Sequence, residues 1–380
     1  MRISNEDALK LINSLRNGTS PVYHSEALST GREAELEAFR EALDRLHEGS
    51  GLVRLITGAF GAGKSFLVQN FKDVALKDDF IIASFQLNNG FRLNKLDDLY
   101  YAIMHHLYLK DKPNAKVSFD DIFDLWVHNL QNAPHADRKR YEVNTVCQEL
   151  SKYNMNFARA FLSFMRGRIQ RNQEMMSVAC AWLTGERHIP VELKQKYELV
   201  GAVDKTNTID FLKAFIKLIT LLDYSGLVVF IDEVDLVLND RSDIRQMAYN
   251  NFKHLVDLAT SGEMSHVMFV FSGNQSLVSD AQKGILSNTP LAQRLNLTPD
   301  REDVNQKHQT VIQVNPLDPD ALVRLTDKIL KLYRQCYELP EFCTSEHAYA
   351  YVSSQITAED AVTRHYVIAL TSYLDALKTQ

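Results

Sequence analysis

Cysteine is scarce in this chain of 380 residues: only Cys147, Cys180, Cys336 and Cys343 are present. Cys336 and Cys343 lie seven apart with no histidines of ligand spacing beside them. That argues against a zinc site and leaves reduced thiols of a cytosolic protein as the reading. A basic excess is also lacking. The 42 Lys and Arg are outnumbered by 48 Asp and Glu, for a net charge of −6, so the surface as a whole carries no footprint for nucleic acid, although a local basic face stays open. No run approaches the ~18 apolar residues of a membrane span, and Met1 to Arg16 mixes charged and apolar residues with no signal-peptide core. Internal repeats, low-complexity segments and charged tails are missing. The expectation is a cytoplasmic protein with no membrane partner. An ordinary apolar share, 45%, supplies a core, and the length suggests two or three units.

The apolar pattern is that of an α/β fold. Strands are predicted at 52–57, 80–87, 226–233, 266–272 and 311–314, each a nearly unbroken apolar run. Helices are predicted at 5–16, from Gly31-Arg32-Glu33 to about Gly49, and at 66–75 and 243–260, with a helical C-terminus from Asp318. The stretch 96–222 offers no convincing strand and reads as helices at about 96–109, 119–131, 136–152, 155–171, 174–185 and 207–223. Strands alternating with helices predict a parallel sheet covered on both faces.

One stretch carries chemistry. Gly58-Ala59-Phe60-Gly61-Ala62-Gly63-Lys64-Ser65, followed by Phe66, fits the phosphate-binding pattern G-x-x-x-x-G-K-[ST], with a strand before it and a helix after it. Glycines let backbone N–H groups turn inward around phosphate oxygens, and the helix N-terminus adds positive potential. Lys64 is expected to reach the outer phosphates of ATP, and the Ser65 hydroxyl to sit on Mg²⁺. The strand at 226–233 ends in Asp232-Glu233, an apolar run closing in two acids. Asp232 is expected on the Mg²⁺ shell, from a strand beside the P-loop strand. Glu233 is placed to polarise a water for attack on the γ-phosphate, or is a solvated loop acid. Asp235 needs no role. Asn274, after the strand at 266–272, is either a contact to that water or the γ-phosphate, or a loop cap.

These segments, with their order, resemble the AAA+ superfamily in the branch near origin-recognition and STAND ATPases. They are closer still to the ATP-binding proteins of BREX-type bacteriophage exclusion systems, the BrxD family. Besides the P-loop and the acids, the resemblance is carried by Gly31-Arg32-Glu33-Ala34-Glu35-Leu36, by Asn207 to Asp223, by Arg241 to Arg245 and by Pro290 to Leu295. It implies a P-loop NTPase core with ATP turnover in a multi-protein antiphage system. Asn274 then matches sensor 1, and Arg294 an arginine finger supplied by a neighbouring subunit. Arg364 matches sensor 2 on the lid, and Arg32 lies in a segment that helps enclose the adenine. Arg294 and Arg364 equally read as helix-surface arginines.

The resemblance divides the chain into four parts. Residues 1–95 are the N-terminal part of the ATPase core, with the P-loop. Residues 96–205 are a mostly helical insertion, needed because Lys64 and Asp232 lie 168 positions apart. Residues 206–315 are the rest of the core, and 316–380 a helical lid. With 16 residues after Arg364, no room is expected for the winged-helix DNA-binding domain of initiator relatives. DNA contact is possible through Arg138-Lys139-Arg140 or through Arg159, Arg166, Arg168 and Arg171. These arginines read first as a solvated face, and the interleaved Phe157, Phe161 and Phe164 as a core stripe. The function expected is an oligomerising ATPase acting with other defence proteins. The alternatives are a STAND-type nucleotide switch and an ATP-bound scaffold.

Overall fold

The structure, a computed structural model, describes residues 3–21, 24–88, 91–124, 126, 136–297, 310–357 and 362–378, with the backbone alone for 136–141. The chain starts with α1 (Asn5–Arg16) and α2 (Glu33–His47), then β1 (Gly51–Gly58), α3 (Lys64–Lys77) and β2 (Ile81–Gln86). Next come α4 (Leu96–Met104), a hairpin of β3 (Leu107–Leu109) and β4 (Lys112–Val117), and the helices α5 (Ala136–Ser151), α6 (Met155–Gln170), α7 (Gln173–Leu183), α8 (Val191–Lys196) and α9 (Thr208–Leu221). The chain then returns through β5 (Leu227–Asp232), α10 (Ser242–Thr260), β6 (Val267–Asn274), α11 (Ser276–Ser279), α12 (Thr289–Arg294) and β7 (Val311–Val314). It closes with α13 (Pro319–Cys336), α14 (Ser345–Gln355) and α15 (Thr363–Leu377).

The seven strands form one sheet in the order β4-β3-β2-β5-β6-β1-β7, in which the run from β2 to β7 is parallel. Its central strands β1, β5 and β6 read as nearly unbroken apolar runs because both faces are covered. In β5, Leu227, Val229 and Ile231 point to one face and Val228 and Phe230 to the other. On the second face α2 and α3 pack with Phe39 stacked on Phe71 at 4.1 Å. On the first, α9 and α10 lie on the sheet, and the same apolar cluster runs on into α6 through Phe157, Phe161 and Phe164, all fully buried. These three rings are core.

Two expectations are corrected. The stretch after α4 does contain strands. β3 and β4 pair antiparallel and extend the sheet from β2, with Ala83 opposite Leu107. The segment Lys-Pro-Asn-Ala-Lys-Val of β4 is mostly exposed, so it lacks an apolar period, and its proline suits an edge strand. Secondly, β5 does not lie beside β1: β6 is inserted between them and pairs with both. Of the expected helix 119–131, residues 119–124 and 126 are described, with a short 3₁₀ turn at Asp120–Phe123; the rest lies outside the described residues.

A third apolar cluster joins the two ends of the chain. Ala8, Leu11, Ile12 and Leu15 of α1 pack against Ile329 and Tyr333 of α13 and Leu370 and Leu374 of α15. Arg16 clamps this arrangement, donating to both oxygens of Asp375 at 2.7 and 2.5 Å. No helix among the described residues is long and apolar enough to cross a membrane.

Candidate functional site

The carboxyl ends of β1, β5 and β6 open into a cavity of about 730 Å³. The loop between β1 and α3 makes its floor. Gly61 and Gly63 stand there at φ of 79° and 104°, left-handed conformations that other residues take only with strain. Many helices of this chain start with a side-chain cap, as Asp318 does for α13 and Asn154 for α6. α3 starts on Gly63, without a side-chain cap. Its first N–H groups therefore face the cavity as donors for an anion. Lys64 extends over the loop and donates to the carbonyls of Gly58 and Ala59, both at 2.9 Å. Burial lowers its pKa, opposed by the charges of Asp235 and Asp232. Phe60, Ala62, Ser65 and Phe66 also line the space.

The acids face this floor. Asp232, the last residue of β5, accepts from the Ser272 hydroxyl of β6 and from the Glu233 N–H at 2.9 Å. The inserted strand thus carries the group that fixes the Asp232 carboxylate. Glu233 follows at φ 58° and ψ 33°, left-handed without being glycine. Strain of this kind is held where the surrounding structure fixes a side-chain direction. Burial, then the charges of Asp232 and Asp235, raise the Glu233 carboxyl above its usual range. Asn274 ends β6 and lines the cavity, and its N–H donates to Asp235 Oδ1 at 2.8 Å. Asp235 therefore has a role: it ties the turn after β5 to the end of β6. Gln86, opposite Asp232 at the end of β2, completes this wall.

The lid closes the side. The N–H of Arg364, at the start of α15, donates to Gly61 O at 3.1 Å, and its guanidinium lies 5.2 Å from the centre of the exposed Phe60 ring. The far end of the cavity is apolar, built from Leu15, Leu28, Leu317, Leu325 and Val367. Ser20 lines that end, and its hydroxyl is buried with no hydrogen-bond partner among the described residues. Sequence reasoning missed this wall, because its residues come from α1, the following loop and the lid, and carry no motif.

Two further arginines have partners within the protein. Arg32 lines the cavity but is only 8% exposed, and its guanidinium is spent on protein: Nη2 donates to the carbonyls of Ala62 (3.1 Å) and Asn315, and Nη1 to Glu35 at 3.3 Å. Arg294 does not line this cavity. It lies half exposed on α12 and donates to Asp257 of α10 at 2.6 Å. Of the basic cluster on and after α6, Arg168 pairs with Asp120 and Asp124, and Arg166 with Glu198. The side chains of Arg138, Lys139 and Arg140 lie outside the described residues.

Taken together, one cavity is lined by a glycine loop at a helix start, a lysine, a serine hydroxyl, an aspartate and a glutamate in a left-handed conformation. Comparison with known proteins identifies an ATP-binding family. A family model described as BREX system ATP-binding protein BrxC/D matches residues 3–379. No curated protein matches the chain. Among solved structures, the Aeropyrum pernix ORC2 protein in its ADPNP–ADP complexes is similar at 14% identity and a TM-score of 0.41. That match covers 90% of this chain and 61% of the other, so the chain spans less than two thirds of that relative.

Proposed function

This chain belongs to the BrxC/D family of BREX system ATP-binding proteins, and from that premise we propose that it hydrolyses ATP in the cavity described above, with Mg²⁺, in the service of a phage-defence assembly. The observation that carries the proposal is the convergence on one space of Lys64 and Ser65, from the start of α3, and Asp232 and Glu233, from the end of β5, which are far apart in sequence.

The residues fit the ligand. The uncapped start of α3 and the left-handed glycines form a cradle for phosphate oxygens. The apolar lining at Leu15, Leu28 and Val367 suits a purine ring. Among the described residues no cluster of three or more acids, cysteines or histidines could hold a metal by itself. Ser65 and Asp232 would hold a single Mg²⁺, which would supply charge neutralisation for phosphoryl transfer.

In this reading Lys64 leaves the carbonyls of Gly58 and Ala59 for the outer phosphates. Glu233 orients a water and takes its proton. The raised affinity of its carboxyl for a proton makes it a better base than an ordinary surface glutamate. Asn274 holds the water or the γ-phosphate from the neighbouring strand. Arg364 swings from Phe60 to the γ-phosphate. Arg294 acts on the cavity of a neighbouring copy, so turnover depends on self-assembly. DNA and other defence proteins are candidate partners.

The test is turnover by Glu233→Gln. We expect the variant to bind ATP like the wild type while hydrolysis falls by about 10²–10⁴-fold. Unchanged turnover removes Glu233 from the base role. A wild type that retains ATP tightly with negligible turnover turns the reading into that of a nucleotide switch.

A further inference from the structure

The segment from Ser29 to Arg32 links the lid to the floor of the cavity. On its outer side it is fastened to α13. Lys328 donates to Ser29 O, Arg324 Nε donates to Thr30 Oγ1 at 3.2 Å, and Gly31 packs so closely on Leu317 and Ala321 that a Cβ there would lie 2.8 Å from the Ala321 methyl. Gly31 also stands at φ 67°. On its inner side Arg32 reaches the P-loop. A single Nη2 uses both of its hydrogens, one on Ala62 O and one on Asn315 O, the first residue beyond β7.

Asn315 opens the joint between sheet and lid. Two residues on, the Leu317 N–H donates to Thr363 Oγ1 at 3.1 Å, and the next residue, Arg364, donates its N–H to Gly61 O. Two consecutive P-loop carbonyls, Gly61 and Ala62, are thus held by donors that meet at this joint. The contacts form a closed circuit: P-loop, Arg32, joint, start of α15, P-loop.

We propose that Arg32 is a positioning residue that couples the shape of the P-loop to the seating of the lid, rather than a direct contact to the nucleotide. The proposal rests on the reading of the cavity as a nucleotide site. The guanidinium holds Glu35 on Nη1 while Nη2 holds both carbonyls, a fixed planar set of three bonds from two nitrogens that a lysine, with one nitrogen on a different stem, does not reproduce. Burial makes the loss felt, because a buried carbonyl without a donor remains unsatisfied.

The test compares wild type, Arg32→Lys and Thr363→Val, each checked for an intact thermal transition, by calorimetric titration with Mg·ATP and by hydrogen exchange. In the wild type, saturating Mg·ATP is expected to slow exchange in peptides covering 315–322 and 363–370. Arg32→Lys is expected to weaken binding by about 5–20-fold, and at saturation its lid peptides exchange as they do without nucleotide. Thr363→Val leaves the clamp on Ala62 in place but removes the acceptor at the joint. It is expected to lose the same protection with a smaller loss of affinity. Full lid protection in saturated Arg32→Lys, or in Thr363→Val, overturns the coupling. Absence of binding by the wild type fails differently, by removing the nucleotide site itself.

Discussion

At the residue scale, the site divides into side chains that announce themselves and side chains that do not. Lys64, Ser65, Asp232 and Glu233 were legible because phosphate chemistry requires those types in a fixed local order, and the structure brings them to one cavity. Asp235 was passed over, since a carboxylate in a turn has no signature. Only the fold shows that its acceptor satisfies the Asn274 N–H across the inserted strand. Asp235→Ala is expected to destabilise the protein by about 1–2 kcal/mol through that orphaned donor, while Asp235→Asn keeps an acceptor and most of the stability. Thermal unfolding of the pair checks this, and equal transitions for both variants would contradict it. Ser20 was equally invisible, being an isolated hydroxyl in a loop.

At the element scale, the five parallel strands could be read because burial on two faces writes a continuous apolar run. The β3–β4 hairpin could not, because its strand state comes from pairing onto the edge of β2 rather than from its own composition. Nor could the partnership of α1. Its apolar stripe predicted a helix but not which surface it covers, and the answer lies more than 300 residues away, on α13 and α15. The Arg16–Asp375 pair holds that contact. Although burial opposes it, the hydrogen bonds and charges of Arg16 and Lys378 keep the Asp375 carboxyl below its ordinary pKa of 3.8. A carboxylate depressed in the folded state stabilises above its unfolded pKa, and the benefit is lost as pH falls through the folded value. Asp375→Asn should therefore cost about 1–2 kcal/mol at pH 7, with the difference from wild type shrinking below about pH 4. Chemical denaturation at pH 7 and pH 3 tests it, and a difference that persists undiminished at pH 3 contradicts the assignment.

At the scale of the whole molecule, the strand order governs the site. By separating β5 from β1, β6 lays Ser272 and Asn274 between the P-loop strand and the acids, so Asp232 and Asn274 rest on the centre of the sheet. Arg294 remains outside the cavity of its own chain and is held by Asp257. If it completes the site of a neighbour, Arg294→Ala and Glu233→Gln should each be nearly inactive alone, yet regain turnover when mixed. A subunit with an intact Glu233 then receives Arg294 from its partner. A mixture as inactive as its components, or an active Arg294→Ala alone, would rule that out. The charge balance and the paired arginines of α6 explain why DNA binding was not legible either way: local basic residues become an interface only when acids do not neutralise them.

The central claim is that the cavity at the ends of β1, β5 and β6 holds a magnesium-bound triphosphate on Lys64. Isothermal titration of Mg·ATP into wild type and Lys64→Ala tests it most directly. The account predicts saturable binding of one nucleotide per chain, weakened by about tenfold or more in Lys64→Ala through loss of a charge-assisted contact. No heat with the wild type, or equal affinity for both proteins, would contradict it.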